Sequence, residues 1–259
     1  MSTVITTAGR PDERSDHLAK EAASVLGFPI IERKKRSVAK LQEVYDADVL
    51  VAGKDRFDLY RMGMDEPFFF HPNSAAFRLK RLVKGEMDPL VEVGQLEKGD
   101  TFLDCTLGLA SDSIIASFAI GESGIVKGIE ADPAVAFITG RGLRSFPSDS
   151  EQLTQAMGQI EVIHMEAVDF LHQQADASWD VVYIDPMFHA PIAESSNFTS
   201  LRQAGVHHTL TQEWFEQAQR VCKRRVVMKD RFDSPIFEHF HLERRIRPNT
   251  KFHFGFIDK

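Results

Sequence analysis

The chain has 259 residues, 43% of them hydrophobic and 27% charged, which suits one large domain or two unequal ones and excludes a disordered tail. A net charge of −7 argues against a surface coated with non-specific nucleic-acid contacts. Two cysteines, Cys105 and Cys222, exclude a cysteine-built zinc site by count and lead us to expect a reducing cytoplasm. The longest apolar runs, such as residues 181–184, are too short to cross a bilayer, so no membrane partner is expected. The opening Met1-Ser2-Thr3 leads us to expect no secretory signal.

Taken in order, residues 4–7 are β-prone. Asp12 can cap a helix in which Leu18, Ala22, Val25 and Leu26 share a face. Residues 29–31 read as a short extended segment. Val38, Leu41 and Tyr45 suit a second helix, and residues 49–52 a buried strand. Residues 57–62 and 67–70 are again β-prone, and residues 75–84 predict a helix with a basic outer face. Beyond residue 100 the alternation becomes regular. Strands are predicted at 101–105, 125–130, 160–163, 180–184 and 225–229, and helices at 111–120, 134–145, 167–174, 212–221 and 234–240, with two closing strands near 242–247 and 252–257. Buried strands alternating with helices predict an α/β, Rossmann-like, predominantly parallel, doubly wound sheet. We expect a small N-terminal α/β unit over 1–70, a helical connector over 71–98 and the main domain over 99–259.

Charge is unevenly spread. Residues 1–90 hold 15 Lys+Arg against 14 Asp+Glu, leaving 16 against 24 for the rest. Within the acidic remainder and before it lie basic clusters: Arg33-Lys34-Lys35-Arg36; Arg78, Lys80, Arg81 and Lys84; Lys223-Arg224-Arg225; and Arg244, Arg245 and Arg247. Each alone reads as a solvated face. Their repetition favours a polyanionic partner. The oligomeric state is left open, a homodimer included.

Ligands of such sheets bind at the carboxyl ends of strands, at the topological switch point. The first of these ends carries Asp104 and then Gly108, a glycine that permits a tight turn and close approach to a ligand. Glu130 ends the second strand 22 residues later and can accept from two ribose hydroxyls, although a helix-terminal charge is the plainer reading. A G-x-G-x-x-G dinucleotide fingerprint is absent, since Ala110 follows Gly108, and this weighs against an NAD-linked dehydrogenase. The fourth strand delivers Asp185-Pro186-Met187-Phe188. This fits the Asp/Asn-Pro-x-aromatic motif of amino-group methyltransferases. Asp185 and a carbonyl can accept the hydrogens of an exocyclic amine, Pro186 fixes the turn, and Phe188 can stack on a flat base. His189 with His207 and His208 raises a metal site as an alternative, but no acidic ligand stands at helical spacing to them.

These residues, with Ile129–Ala136, Gly142-Leu143, Val162–His164 and Arg225–Lys229, resemble the bacterial methyltransferase J family, which modifies a guanine amino group of small-subunit ribosomal RNA. The likeness spans roughly residues 70 to 259. The first 65 or so look like a unit found in uncharacterised relatives. The resemblance implies S-adenosyl-L-methionine (SAM) as cofactor, held at Ser111 and Asp112, Glu130 and Ala131, Glu166 and Ala167, and Asp185, with Gly108 making the turn. It implies a structured RNA, the small ribosomal subunit included, as partner. Three positions depart from the pattern. Ser111 stands where the family often has Arg, Glu166-Ala167 replaces a small hydroxyl pair, and His189 follows Phe188 where Pro is usual. Turnover on DNA or a small molecule, and docking on RNA or protein without turnover, stay open as alternatives.

Overall fold

The regular alternation beyond residue 100 folds into a seven-stranded sheet, and the N-terminal strands form a separate three-stranded one. The computed structural model describes residues 2–64, 66–186, 210–248 and 250–259. The small sheet has the order β1 (Ser2–Thr7), β2 (Ala47–Ala52), β3 (Phe57–Tyr60), with β1 and β2 parallel and β2 and β3 antiparallel. Helix α1 (Glu13–Leu26) starts where expected. Asp12 accepts from the Ser15 N–H at 2.9 Å and Ser15 Oγ accepts from the Asp12 N–H at 2.9 Å, a reciprocal cap that satisfies two otherwise orphaned donors. Leu18, Ala19 and Ala22 then form its buried stripe. Helix α2 is Val38–Tyr45.

Helices α3 (Asn73–Val83) and α4 (Pro89–Gly94) lead to the large sheet. Its elements in chain order are β4 (Thr101–Asp104), α5 (Ser111–Ile120), β5 (Ile125–Glu130), α6 (Pro133–Ser145), α7 (Glu151–Gly158), β6 (Ile160–His164), α8 (Ala167–His172), β7 (Trp179–Ile184), α9 (Gln212–Val221), β8 (Cys222–Arg231), α10 (Ile236–His239), β9 (Glu243–Arg245) and β10 (Phe252–Asp258). In space the order is β6-β5-β4-β7-β8-β10-β9. The first five strands are parallel, and β10 runs antiparallel to both of its neighbours. The order reverses between β4 and β7, so the crevice that such sheets use for ligands opens beyond the carboxyl ends of these two strands.

Alternation sends successive residues into two cores. Phe102, Val181, Tyr183 and Val227 join a cluster that continues through Phe70, Phe57 and Leu18 into the small sheet. Leu103, Val182, Ile184 and Val226 face the other way, against Trp214 and Phe215 of α9. The two sheets thus share apolar packing. Arg61 adds a polar tie: its guanidinium donates to Asp48 Oδ2 on β2 at 2.7 Å and also pairs with Asp132, the cap of α6.

Several expectations shift. The strand expected at 67–70 is reduced to one bridge, Leu59 to Phe68, because Pro67 has no N–H to extend the ladder. The segment 29–31 contributes the bridge Ile5 to Ile30. Helix α7 was not foreseen. The basic clusters are also less outward than their sequence implies. Arg225 is 5% exposed and clamps Asp258 through Nε and Nη2 at 2.6 and 2.9 Å. Arg224 pairs with Asp100, and Arg33 donates to the Arg36 and Thr7 carbonyls. Arg78 turns inward altogether.

Candidate active site

The ends of β4, β5, β6 and β7 bring together Asp104, Gly108, Ser111, Asp112, Glu130, Ala131, Glu166, Ala167 and Asp185 along one edge. The turn after β4 sets their spacing. Gly108 takes φ +50° and Ala110 φ +58°, the left-handed region that residues with a Cβ avoid, so the chain is bent sharply into α5. Leu107 then lies flat against β5. A Cβ on Gly128 would stand 2.2 Å from Leu107 Cδ1, so only glycine admits this approach.

On the β4–β5 side, carboxylates are held by neutral donors. Glu130 accepts from the Gly108 N–H at 3.1 Å and the Asp132 N–H at 2.9 Å. Burial pushes its carboxyl up to about 7 against those two bonds. Asp104, 1% exposed, accepts from Ser113 Oγ at 2.6 Å and the Thr106 N–H at 2.9 Å, and burial likewise pushes it up to about 7. Thr106 Oγ1 accepts from the Asp185 N–H at 2.7 Å, which ties the turn after β4 to the turn after β7. Further along the edge, the Met165 N–H donates to Glu130 O at 3.1 Å. His164 Nε2 lies 3.2 Å from Ala131 O, and Glu166 occupies the position before α8, in front of Ala167.

On the β7–β8 side, charge meets charge. Lys229 Nζ donates to Asp112 Oδ2 at 2.9 Å and also to Asp185 Oδ2. Asp112 further accepts from Tyr183 Oη at 2.8 Å and from Arg78. Arg78 comes from α3, and its other two nitrogens clamp Asp88, the cap of α4, at 2.8 Å each. Burial would raise the Asp112 carboxyl, but Lys229 and Arg78 overcome it and hold it well below the usual range. Burial would lower the Lys229 ammonium, but Asp112 and Asp185 keep it firmly protonated. Asp185 has Lys229 as its cationic partner and Asp112 as a repelling neighbour. Its carboxyl lies above the usual range, chiefly through burial.

The residues fit a nucleoside cofactor. A carboxylate offers about four acceptor positions, so Glu130 keeps capacity for a ribose diol after its two backbone bonds. Asp112 has committed three, leaving it little capacity for a ligand. A family model described as a putative SAM-dependent methyltransferase matches residues 68–249, well over half of the chain. The protein belongs to this family of SAM-dependent methyltransferases. Its cofactor is accordingly SAM. The methyltransferase is 42% identical over 254 residues to the uncharacterized protein YpiP of Bacillus subtilis (strain 168), covering 98% of each chain. It is 27% identical over 197 residues to ribosomal RNA small subunit methyltransferase J of Vibrio parahaemolyticus, covering 70% of this chain and 74% of that one. The Acinetobacter baumannii protein of the same name is 28% identical over 172 residues, covering 60% of this chain and 59% of its own. Among solved structures, a SAM-dependent methyltransferase from Neisseria gonorrhoeae superposes with a TM-score of 0.59 at 18% identity, over 99% of this chain and 96% of that one, which shows a shared fold.

Of the motif after β7, the structure describes Asp185 and Pro186. Met187, Phe188, His189, His207 and His208 lie outside the described residues. Among the described residues no cluster of three metal-capable side chains occurs, and no helix is long and apolar enough to cross a membrane. Arg78 and Lys229 join the site without being marked by any motif. Lys229 carried a signal, a lysine ending an apolar strand beside the motif strand. Arg78 carried none, because its partners lie 10 and 34 residues away.

Proposed function

We propose that this methyltransferase modifies an exocyclic amino group of a nucleobase in RNA, with the guanine N2 amine of small-subunit ribosomal RNA as the first substrate to test. The observation that carries the reading is Asp185-Pro186 at the carboxyl end of β7, beside the switch point and tied by Thr106 to the turn after β4. The likeness to the ribosomal RNA methyltransferase J proteins supports the choice of substrate, and such a substrate would place the reaction in the cytoplasm.

An exocyclic amine is a weak nucleophile because its lone pair is delocalised into the ring. In this reading one Asp185 oxygen stays on Lys229. The other oxygen, with a main-chain carbonyl of the turn, accepts the amine hydrogens and localises the lone pair. Pro186 restricts the turn so that these acceptors keep their places. When bound, the cofactor supplies an electrophilic methyl group on its sulfonium. Glu130 holds the ribose, Gly108 and Ser111 line the approach, and Ala131, Glu166 and Ala167 flank the adenine. Asp112, already engaged, fixes the start of α5 from behind. Once alkylated, the nitrogen is acidic, and its proton leaves to Asp185 Oδ1 or to water without a further base.

The purified protein, given methyl-labelled SAM and separate RNA, DNA and protein fractions, is expected to label RNA, with the label recovered as N2-methylguanosine. Label in DNA or protein alone, or cofactor binding with no transfer to any fraction, would overturn the reading.

A further inference from the structure

Phe252 opens β10 at the same edge as the site. It pairs with Arg231 on β8, while the next residue but one, Phe254, pairs with Lys229 on β8 and with Arg245 on β9. Side chains alternate along strands, so Phe252 and Phe254 share the face of the sheet that carries Lys229, Arg231 and Arg245. Their burial differs. Phe254 is 2% exposed and closes the core, whereas Phe252 is 36% exposed. The Lys229 Nζ that holds Asp185 stands 5.2 Å from the centre of the Phe252 ring.

An isolated exposed phenylalanine needs no explanation. This one lies within reach of the carboxylate assigned to the target amine. A base whose amine meets Asp185 through a bond of about 2.9 Å has its ring directly beyond the amine nitrogen. An aromatic side chain can lie flat against that ring at about 3.5–4.0 Å, and Phe252 stands beside the ammonium that holds Asp185. The surroundings are cationic in an otherwise acidic half of the chain: residues 243–251 hold Arg244, Arg245, Arg247 and Lys251 against Glu243 alone. Arg231 and Arg245 are paired to Asp233 and Glu92 at the surface, and pairs of that kind give way to a phosphate at little cost.

We propose that Phe252 is a substrate-binding residue, a stacking wall for the nucleobase that Asp185 orients, with Arg231 and Arg245 meeting the adjoining phosphates. This rests on the RNA reading above. Single-stranded RNA is held in this way, by aromatic rings under bases and cations along the backbone.

The test measures methyl transfer to small-subunit ribosomal RNA from a strain lacking the protein, with SAM affinity measured in parallel. Phe252→Ala and Phe252→Leu are expected to raise the KM for RNA about tenfold, with kcat and SAM affinity within twofold of the parent. Phe252→Trp is expected to restore the KM. Leucine keeps apolar bulk beside Lys229 without a ring, so it separates packing from stacking. An unchanged KM in both Phe252→Ala and Phe252→Leu would overturn the proposal. So would a fall in kcat at unchanged KM, which would mean that Phe252 acts through Lys229. Wild-type protein that transfers nothing to RNA would overturn the RNA reading and this inference together, and is distinguished by the parent's own inactivity.

Discussion

The two halves of the site hold their carboxylates by different physics. At β4 and β5, Asp104 and Glu130 lean on backbone N–H groups and a serine hydroxyl, and burial lifts both to about 7. At β7 and β8, Asp112 and Asp185 share a buried lysine, and Arg78 steadies Asp112 from α3. Neutral donors position a carboxylate without fixing its charge. Buried cations hold Asp112 ionised and demand that every partner remain, while burial still leaves Asp185 above the usual range. The half assigned to the cofactor is therefore tunable by pH, and the half assigned to the methyl acceptor is intolerant of deletion.

The largest expected effect tests that intolerance. Lys229→Met leaves Asp185 without its cation, and removing one partner of a buried pair costs about 3–5 kcal/mol. Urea unfolding is expected to show this loss at pH 7. A loss under about 1 kcal/mol would mean that the lysine is not structurally required. Asp185→Ala is next. Turnover on the RNA substrate is expected to fall about 10²-fold, the scale for losing one preorganised polar contact, while SAM binding persists. Near-normal turnover would move the acceptor site elsewhere.

Glu130→Ala probes the other half. Calorimetry is expected to show SAM binding weakened by about 1–3 kcal/mol, with a smaller loss of stability than Lys229→Met because the partners left behind are neutral N–H groups rather than a buried charge. The smallest effect is in the pH dependence. Ribose hydroxyls donate to the ionised form, so cofactor affinity is expected to rise with pH up to about 7, where Glu130 ionises, and then level off. Asp104 acts on stability with the opposite sign. Its folded pKa of about 7 exceeds its unfolded value near 3.8. The native state therefore binds the extra proton, and this stabilising contribution is lost as pH rises from about 4 to about 7. Asp104→Asn is expected to flatten that slope in unfolding curves taken across the window. Unaltered slopes would place the titration on another group.

The sheet was legible in the sequence because its strands are unbroken apolar runs between helices, and α9 (Gln212–Val221) lies at the bounds its pattern predicts. The place of Asp185 at the carboxyl end of β7 was legible because an unbroken apolar strand runs directly into it. Helix α7 was not, since its eight residues bury only Leu153, Ala156 and Met157, too short a stripe to show a period. Helical periodicity places Arg78 among Lys80, Arg81 and Lys84 on an outward basic face. What turns it inward is a pair of acids distant in the chain, Asp88 and Asp112, and no local pattern records them.

The Arg61 bridge bears on how this chain can be cut and recombined. Residues 1–70 look like a detachable module by strand count, yet Arg61 grips the cap of the helix that follows Glu130, and Arg78 grips the start of α5. A truncation at Gly94 strips both guanidinium groups and leaves Asp132 and Asp112 facing each deletion scar with fewer cations. Exchanging front ends between homologues therefore works only when the incoming piece brings an arginine to each of these two sockets. The seam for such chimeras runs through Gly99, behind α4, and the two arginines travel with the donor.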